Sequence, residues 1–364
     1  MPAIVKIPKI DLTASADSFS DITLDELTQY TVCPGHLVRL REFSAKAFFF
    51  LRAGDLISDD FVQRYRDRGV LDFQIMYVHH EDAQESGRAI LKNLKNAKLT
   101  SEQLQYRAEF LKWFYQHYWE DENDSSVLDL VTICFESFFD LDEKIAKEYN
   151  ETSIFLYNRA HMMASFSVVL CLVQGYVDFR MIQDIYHTAF LLDFGLTSGS
   201  FNIELLEACR RESQEMGTGL AYLRVRGDGS DYELFFNHPK AGAAKARELA
   251  SEKMFEPKLF KMIETHHEQS NGQGFPRGLH HGEISDFEAI VIAVDKLMPF
   301  DYDRFKPFDG IGFFKDLFNK AKSNEHIESF PCLRLFNEVR RCFEQTIPEL
   351  IEIEKLAISE EEVA

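Results

Sequence analysis

Hydrophobic and polar positions along this chain repeat with two different periods. Near the N-terminus the alternation is strand-like. Leu37 to Arg41 and Ala47 to Leu51 read as short strands separated by a polar Glu42-Phe43-Ser44 turn. A helix follows, with Ser58 as N-cap, Asp59 and Asp60 in the first turn and Gly69 just past its end. The acids complement the positive end of the helix dipole, and a glycine can take the left-handed conformation that stops a helix. Leu71 to Val78 then places Phe73, Ile75 and Tyr77 on one face, as a half-buried strand does, with His79-His80 as its solvated end. The expected unit is strand–strand–helix–strand.

From Thr100 the period becomes helical almost to the C-terminus. Thr100 and Gln103 fit a capping box ahead of an aromatic helix running through Trp119. The polar cluster Glu120 to Ser126 breaks it, and one amphipathic stretch runs from Val127 to about Tyr149. Its aromatic and aliphatic face predicts core packing or a helix–helix seam between two copies of the chain. The apolar helix beginning near His161 continues to Leu172, a helix should start at Pro239, and Glu349 to Ala364 reads as a solvated acidic helix end. The fold expected is mainly α, a helical domain preceded by a small α/β N-terminal domain. Its parts are a regulatory or docking unit over 1–95, a helical connector and dimer seam over 96–150, and a helical domain over 151–364.

Composition narrows what such a fold can do. Sixty acidic against 40 basic residues leave a formal charge of −20 in 364 residues, which repels a phosphate backbone and argues against nucleic acid as a partner. The most apolar stretch, Phe166 to Val173, is shorter than the ~18 residues a membrane span needs. The first residues, MPAIVKIPKI, lack the apolar core of an export signal, and the scattered cysteines Cys33, Cys134, Cys171, Cys209, Cys332 and Cys342 contain no C-x-x-C. A cytoplasmic protein with reduced thiols is expected.

The chemistry-bearing candidates are His161, Asp193, His238, His266, His267 and Asp295. Asp295 interrupts the apolar run Ala289 to Val294, and Asp193 follows Ala189 to Leu192. A carboxylate in such a setting is costly unless it is paired, hydrogen-bonded or bound to a metal. Imidazoles and carboxylates gathered from several helices are the ligand set of zinc, iron, manganese or nickel. A lone His on an apolar helix is usually a satisfied core histidine, and Asp295 alone also reads as a buried cap or ion pair.

The segment His266-His267-Glu268-Gln269-Ser270-Asn271-Gly272-Gln273-Gly274-Phe275-Pro276-Arg277-Gly278-Leu279 resembles the signature of HD-GYP domains, H-H-E-x-x-D-G-x-G-Y-P-x-G-L. Asn237-His238-Pro239-Lys240-Ala241-Gly242 is similar to the family's H-P-x-x-G segment, and Ala293-Val294-Asp295 to the stretch that ends in a metal-binding Asp. The resemblance spans roughly Thr152 to Pro307. It implies an HD-type helical fold, a centre of two or three iron or manganese ions, and hydrolysis of cyclic di-GMP in bacterial signalling. His161, Asp193, His238, His266, His267 and Asp295 match its metal ligands, and Arg304 and Lys306 its phosphate contacts. Gly272, Gly274, Phe275, Pro276 and Gly278 match the signature loop.

The departures are as informative as the match. The His of the HD pair is Leu192, the Lys three residues after the Asp is Leu196, and the Tyr of GYP is Phe275. The Arg six before Asp295 is Ala289, and Tyr157 stands where some members carry a metal-binding Glu. His187 is on the wrong side of its helix to replace the lost imidazole. The insert Gly227 to Asp231 reads as a surface turn, and His280-His281 as exposed. With Asp193, His238, His266 and His267 intact, the resemblance implies one ion, iron or manganese with zinc as a third choice, rather than two. The reading is a degenerate HD-GYP protein, more a metal- or nucleotide-binding and protein-interaction module than an enzyme. Cyclic di-GMP, a protein partner and a second copy of the chain are its expected partners. The alternatives are an active metal-dependent cyclic di-GMP phosphodiesterase with a reduced centre, and a metal-free structural interaction module.

Overall fold

The computed structural model of the chain describes residues 19–30, 33, 35–41, 44–51, 55, 57–77, 81–120, 127–216, 229–250, 257–280, 282–300 and 333–361. The chain divides into two compact units, Met1–His80 and Glu81–Ala364.

In the first unit, β1 (Ser20–Thr23), β2 (Gly35–Arg41), β3 (Ser44–Leu51) and β4 (Asp72–Tyr77) form an antiparallel sheet in the order β1-β4-β2-β3. Registers such as Ile22 opposite Phe73 and Leu37 opposite Ile75 place apolar side chains on one face. That face packs with a short helix, α1 (Leu24–Leu27), and with α2 (Asp59–Asp67), around Leu24, Leu27, Phe61 and Val62. Ser58 caps α2 by accepting the Phe61 amide, and Gly69 is left-handed at φ 67°, both as expected. β1 and α1 add to the expected unit. The turn at Glu42 and Phe43, together with His79 and His80, lies outside the described residues.

The second unit is mainly helical in its described residues. It begins with α3 (Glu81–Asn96), α4 (Thr100–Phe114), whose end loosens into a π turn (Tyr115–Glu120), α5 (Val127–Phe138) and α6 (Glu143–Thr152). The expected capping box at Thr100 is displaced by one residue. Leu99 is the N-cap, and the Glu102 carboxylate accepts the amides of Lys98 and Leu99. The single stretch expected over Val127 to Tyr149 is two helices, because Asp142 accepts the Lys144 amide and starts α6 anew. Leu130, Ile133, Cys134, Phe135 and Phe138 of α5 are buried within this chain. Gly87 lets α3 approach closely, since an added Cβ would meet Ile133 and Trp113 below 3 Å.

The remaining elements carry the site. They are α7 (Ile154–Val173), α8 (Phe179–Phe190), a 3₁₀ turn (Phe194–Ser198), α9 (Ile203–Met216), α10 (Gly229–Ala250), α11 (Pro257–Thr265) and α12 (Asp286–Leu297). The chain ends in α13 (Leu333–Arg341), a π turn (Cys342–Thr346) and α14 (Ile347–Glu361), whose Ile347 and Ile351 are buried while Ile353 is exposed. α7 is the central helix. It is long and apolar enough to cross a bilayer by length and composition, which the sequence reading had denied, and its most apolar window is wholly buried inside the protein. Cys33, Cys134, Cys171, Cys209 and Cys342 are buried and outside any disulfide. Gly229, Ser230 and Asp231 form the first turn of α10 rather than the surface turn expected of them.

Candidate metal centre

Pro239 was expected to open a helix and instead lies in the middle of α10. A proline there has no N–H for the carbonyl four residues back, that of Phe235, which normally destabilises a helix. His238 repairs the gap, because its Nδ1 lies 2.6 Å from the Phe235 carbonyl oxygen. A carbonyl only accepts, so Nδ1 carries the proton and Nε2 is left with its lone pair. His266, just beyond α11, repeats the device with Nδ1 2.7 Å from the Ile263 carbonyl. His267 places Nδ1 3.0 Å from Asp295 Oδ2. Buried neutral imidazoles oriented by a partner on the far nitrogen are the form in which histidine binds metal ions.

Three ring nitrogens converge. His238 Nε2 is 3.1 Å from His266 Nε2 and 3.3 Å from His267 Nε2. Asp193 Oδ1 stands 3.4 Å and 4.0 Å from the first two and accepts no hydrogen bond, although it is wholly buried. Nitrogens bound to one ion at about 2.1 Å lie about 3.0–3.4 Å apart, so the spacing suits a shared cation. Burial holds His238 below its ordinary pKa and His266 well below it. Burial pushes the Asp193 carboxyl up, but the Arg159 guanidinium and His238 outweigh it and bring it down to about 2. Asp295 is likewise held well below the carboxylate range, with His267 and Arg159 opposing burial. Imidazoles beside ionised carboxylates are a donor set that fits a divalent ion.

Close backbone packing sets these distances. The 3₁₀ turn that begins after Asp193 lies flush on α10. An added Cβ at Gly195 would stand 2.1 Å from the His238 carbonyl oxygen, and one at Gly242 would be 3.0 Å from the Gly195 amide nitrogen. The signature loop is held from within by Glu268, whose buried carboxylate accepts the amides of Arg277 at 2.5 Å and Leu279 at 2.7 Å. Gly272 and Gly278 take φ 75° and 66°. A Cβ at Gly274 would meet the Gln269 amide nitrogen at 2.3 Å. Phe275, joined to Pro276 by a cis peptide bond, stacks on His267 at 4.7 Å between ring centroids and is nearly buried.

Arg159 is the participant that the sequence reading missed. It is wholly buried, hydrogen-bonded through Nη1 to Asp193 Oδ2 and through Nη2 to Asp295 Oδ1 at 2.6 Å. Nη2 and Nε also donate to the carbonyls of Asp295 and Met298, at 3.0 and 2.9 Å, with the guanidinium 4.1 Å from the Phe300 ring centroid. As the sole charged residue of α7, it carried the same signal that singled out Asp295.

His161 does not join the cluster. The groups whose ligand atoms lie within 4.8 Å of one another among the described residues are His238/His266/His267 and Asp193/His266/Asp295. His161 is boxed by Phe135, Tyr157 and Phe190, with centroids 4.4–5.1 Å away. Two residues along a helix are about 200° apart, so a register that turns Arg159 to the carboxylates turns His161 away. Leu192, Leu196 and Ala289 are buried. His187 accepts the Asp140 amide through Nε2 at 3.2 Å, and His280 is exposed. Arg304, Lys306 and His281 lie outside the described residues.

Fold and site thus define a mainly helical protein, with a small antiparallel sheet near its N-terminus and a buried group of three imidazoles, two carboxylates and a guanidinium. Neither a family model nor a curated protein matches the chain. Among solved structures it is similar to Bd1817, a HDG"Y"P protein from Bdellovibrio bacteriovorus, at 16% identity and a TM-score of 0.37, over 90% of this chain and 98% of that one.

Proposed function

We propose that the chain is a degenerate HD-GYP-type module of cyclic di-GMP signalling that holds one divalent ion and does not turn the dinucleotide over at an enzyme's rate. The observation that carries the reading is the split among the six candidate ligands. The Nε2 atoms of His238, His266 and His267 lie together and the unpartnered Asp193 Oδ1 stands beside the first two, while His161 sits apart among aromatic rings. Those four donors would hold the ion, and an ion there would supply Lewis acidity toward a phosphate oxygen. Two-metal phosphodiester hydrolysis uses a second ion to stabilise both the attacking and the leaving oxygen. Among the described residues His161 stands outside the ligand groups, and buried hydrocarbon stands at Leu192 and Leu196. Iron or manganese is the ion the sequence resemblance implies, and the imidazole and carboxylate donors accept zinc as well. Arg304 and Lys306 are the proposed phosphate contacts, and a cytoplasmic protein partner reads the bound state.

The test is incubation of the full chain with cyclic di-GMP under anaerobic conditions with Fe(II) or Mn(II), the products being separated by chromatography. Turnover no greater than that of the His266→Ala variant, with the ion retained by the native chain, supports the reading. Turnover that disappears in the variant establishes a working phosphodiesterase with a reduced centre. A native chain that retains no ion supports the metal-free module instead.

A further inference from the structure

We infer that Arg159 is a resident cation standing in place of a second metal ion, so that this centre pairs one guanidinium with one divalent ion across the Asp193 carboxylate. The inference rests on the single-ion reading above. Asp193 divides its oxygens between the two charges. Oδ2 takes the guanidinium, and Oδ1, which has no other partner, faces the imidazoles. This is how a carboxylate bridges two cations. Asp295 does the same from α12, giving Oδ1 to Arg159 and Oδ2 to His267.

The position is built for a guanidinium. Its two outer nitrogens reach carboxylates on different elements, its remaining contacts are the Asp295 and Met298 carbonyls, and a phenyl ring covers its face. A buried arginine needs such a complete set of acceptors, because its charge cannot be given up by deprotonation. The carboxylates of Asp193 and Asp295 and the guanidinium of Arg159 sum to one negative charge, which attracts a single divalent ion and disfavours two. The helical register makes the choice exclusive, since Arg159 and His161 leave α7 on opposite sides and only one of them can face the carboxylates.

The experiment compares the metal content of the full-length native chain with that of Arg159→His and Arg159→Ala, each loaded anaerobically with excess Mn(II) or Fe(II), desalted and analysed by inductively coupled plasma mass spectrometry. The native chain should retain one ion per chain and give the Mn(II) EPR spectrum of an isolated ion. Arg159→His adds an imidazole to two freed carboxylates and should retain two ions, with the spectrum of an exchange-coupled pair. Arg159→Ala should also gain an ion, and its melting temperature should depend on added Mn(II) more steeply than that of the native chain. Two ions in the native chain, or one ion in a folded Arg159→His chain, would overturn the inference. No ion in the native chain would overturn the metal reading itself and the inference with it.

Discussion

Replacing Gly195 by alanine tests how the centre is held together without touching any of its donors. The new Cβ would stand 2.1 Å from the His238 carbonyl oxygen and 2.8 Å from the Gly242 amide nitrogen, where ordinary contact begins at 3.4 Å. Both neighbours are backbone, so no rotamer change relieves the clash, and the turn must retreat from α10 by about 1.3 Å. Overpacking of this kind costs about 1–3 kcal/mol or more. The same retreat pulls Asp193 from His238, now 3.4 Å apart between Oδ1 and Nε2. Loss of a supporting contact of this sort typically weakens metal binding about 10–100-fold. Urea unfolding of the metal-free chain measures the first effect, and competition with a chromophoric chelator the second. Gly175→Ala is the control. Gly175 has φ 91° and nothing within 4 Å of an added Cβ, so that variant should lose about 1–2 kcal/mol through left-handed strain and keep its metal affinity. If Gly195→Ala binds metal as tightly as the native chain, close packing of the turn does not set the site geometry, and the reasoning fails.

Two further outcomes follow from the same contacts. Glu268→Gln keeps one acceptor for the signature loop but turns an NH₂ group toward the amide of Arg277 or Leu279, leaving a buried N–H unsatisfied. It should cost about 2–4 kcal/mol in urea unfolding and expose the loop to proteolysis, and a loss below about 0.5 kcal/mol contradicts the pinning role. The second outcome concerns Glu288, whose carboxyl lies below its usual 4.5 because its bonds to the Ser285 amide and hydroxyl and the charge of Lys261 outweigh burial. A depressed folded-state pKa adds stability that is complete above the unfolded value and vanishes as pH falls through the folded one. Glu288→Gln should therefore be less stable than the native chain at pH 7, and the two should converge as pH falls through the depressed value of the native carboxyl. A gap that persists in acid assigns the effect to something other than the capping carboxylate.

The sequence made the local devices legible and hid those that depend on tertiary contacts. Ser58 and Gly69 bound their helix because capping is local chemistry. His238, His266, His267, Asp193 and Asp295 could be gathered because fixed spacing and buried carboxylates leave a trace in the sequence. Pro239 was misjudged because propensity says where proline is tolerated, and nothing in that rule anticipates an imidazole replacing the missing N–H. The break between α5 and α6 was missed because Asp140 to Asp142 sits inside a continuing apolar period. β1 was missed because SDIT offers one apolar residue, and its place depends on pairing with β4. Arg159 was overlooked beside His161, although one charge in an apolar helix poses the question that Asp295 had already posed.

X-ray absorption at the metal edge of the anaerobically loaded native chain tests the central claim most directly. The account predicts a single ion in a nitrogen and oxygen shell with the outer scattering of imidazole rings and no metal neighbour. A metal–metal vector at about 3.5–4 Å would contradict it, as would a shell without imidazole.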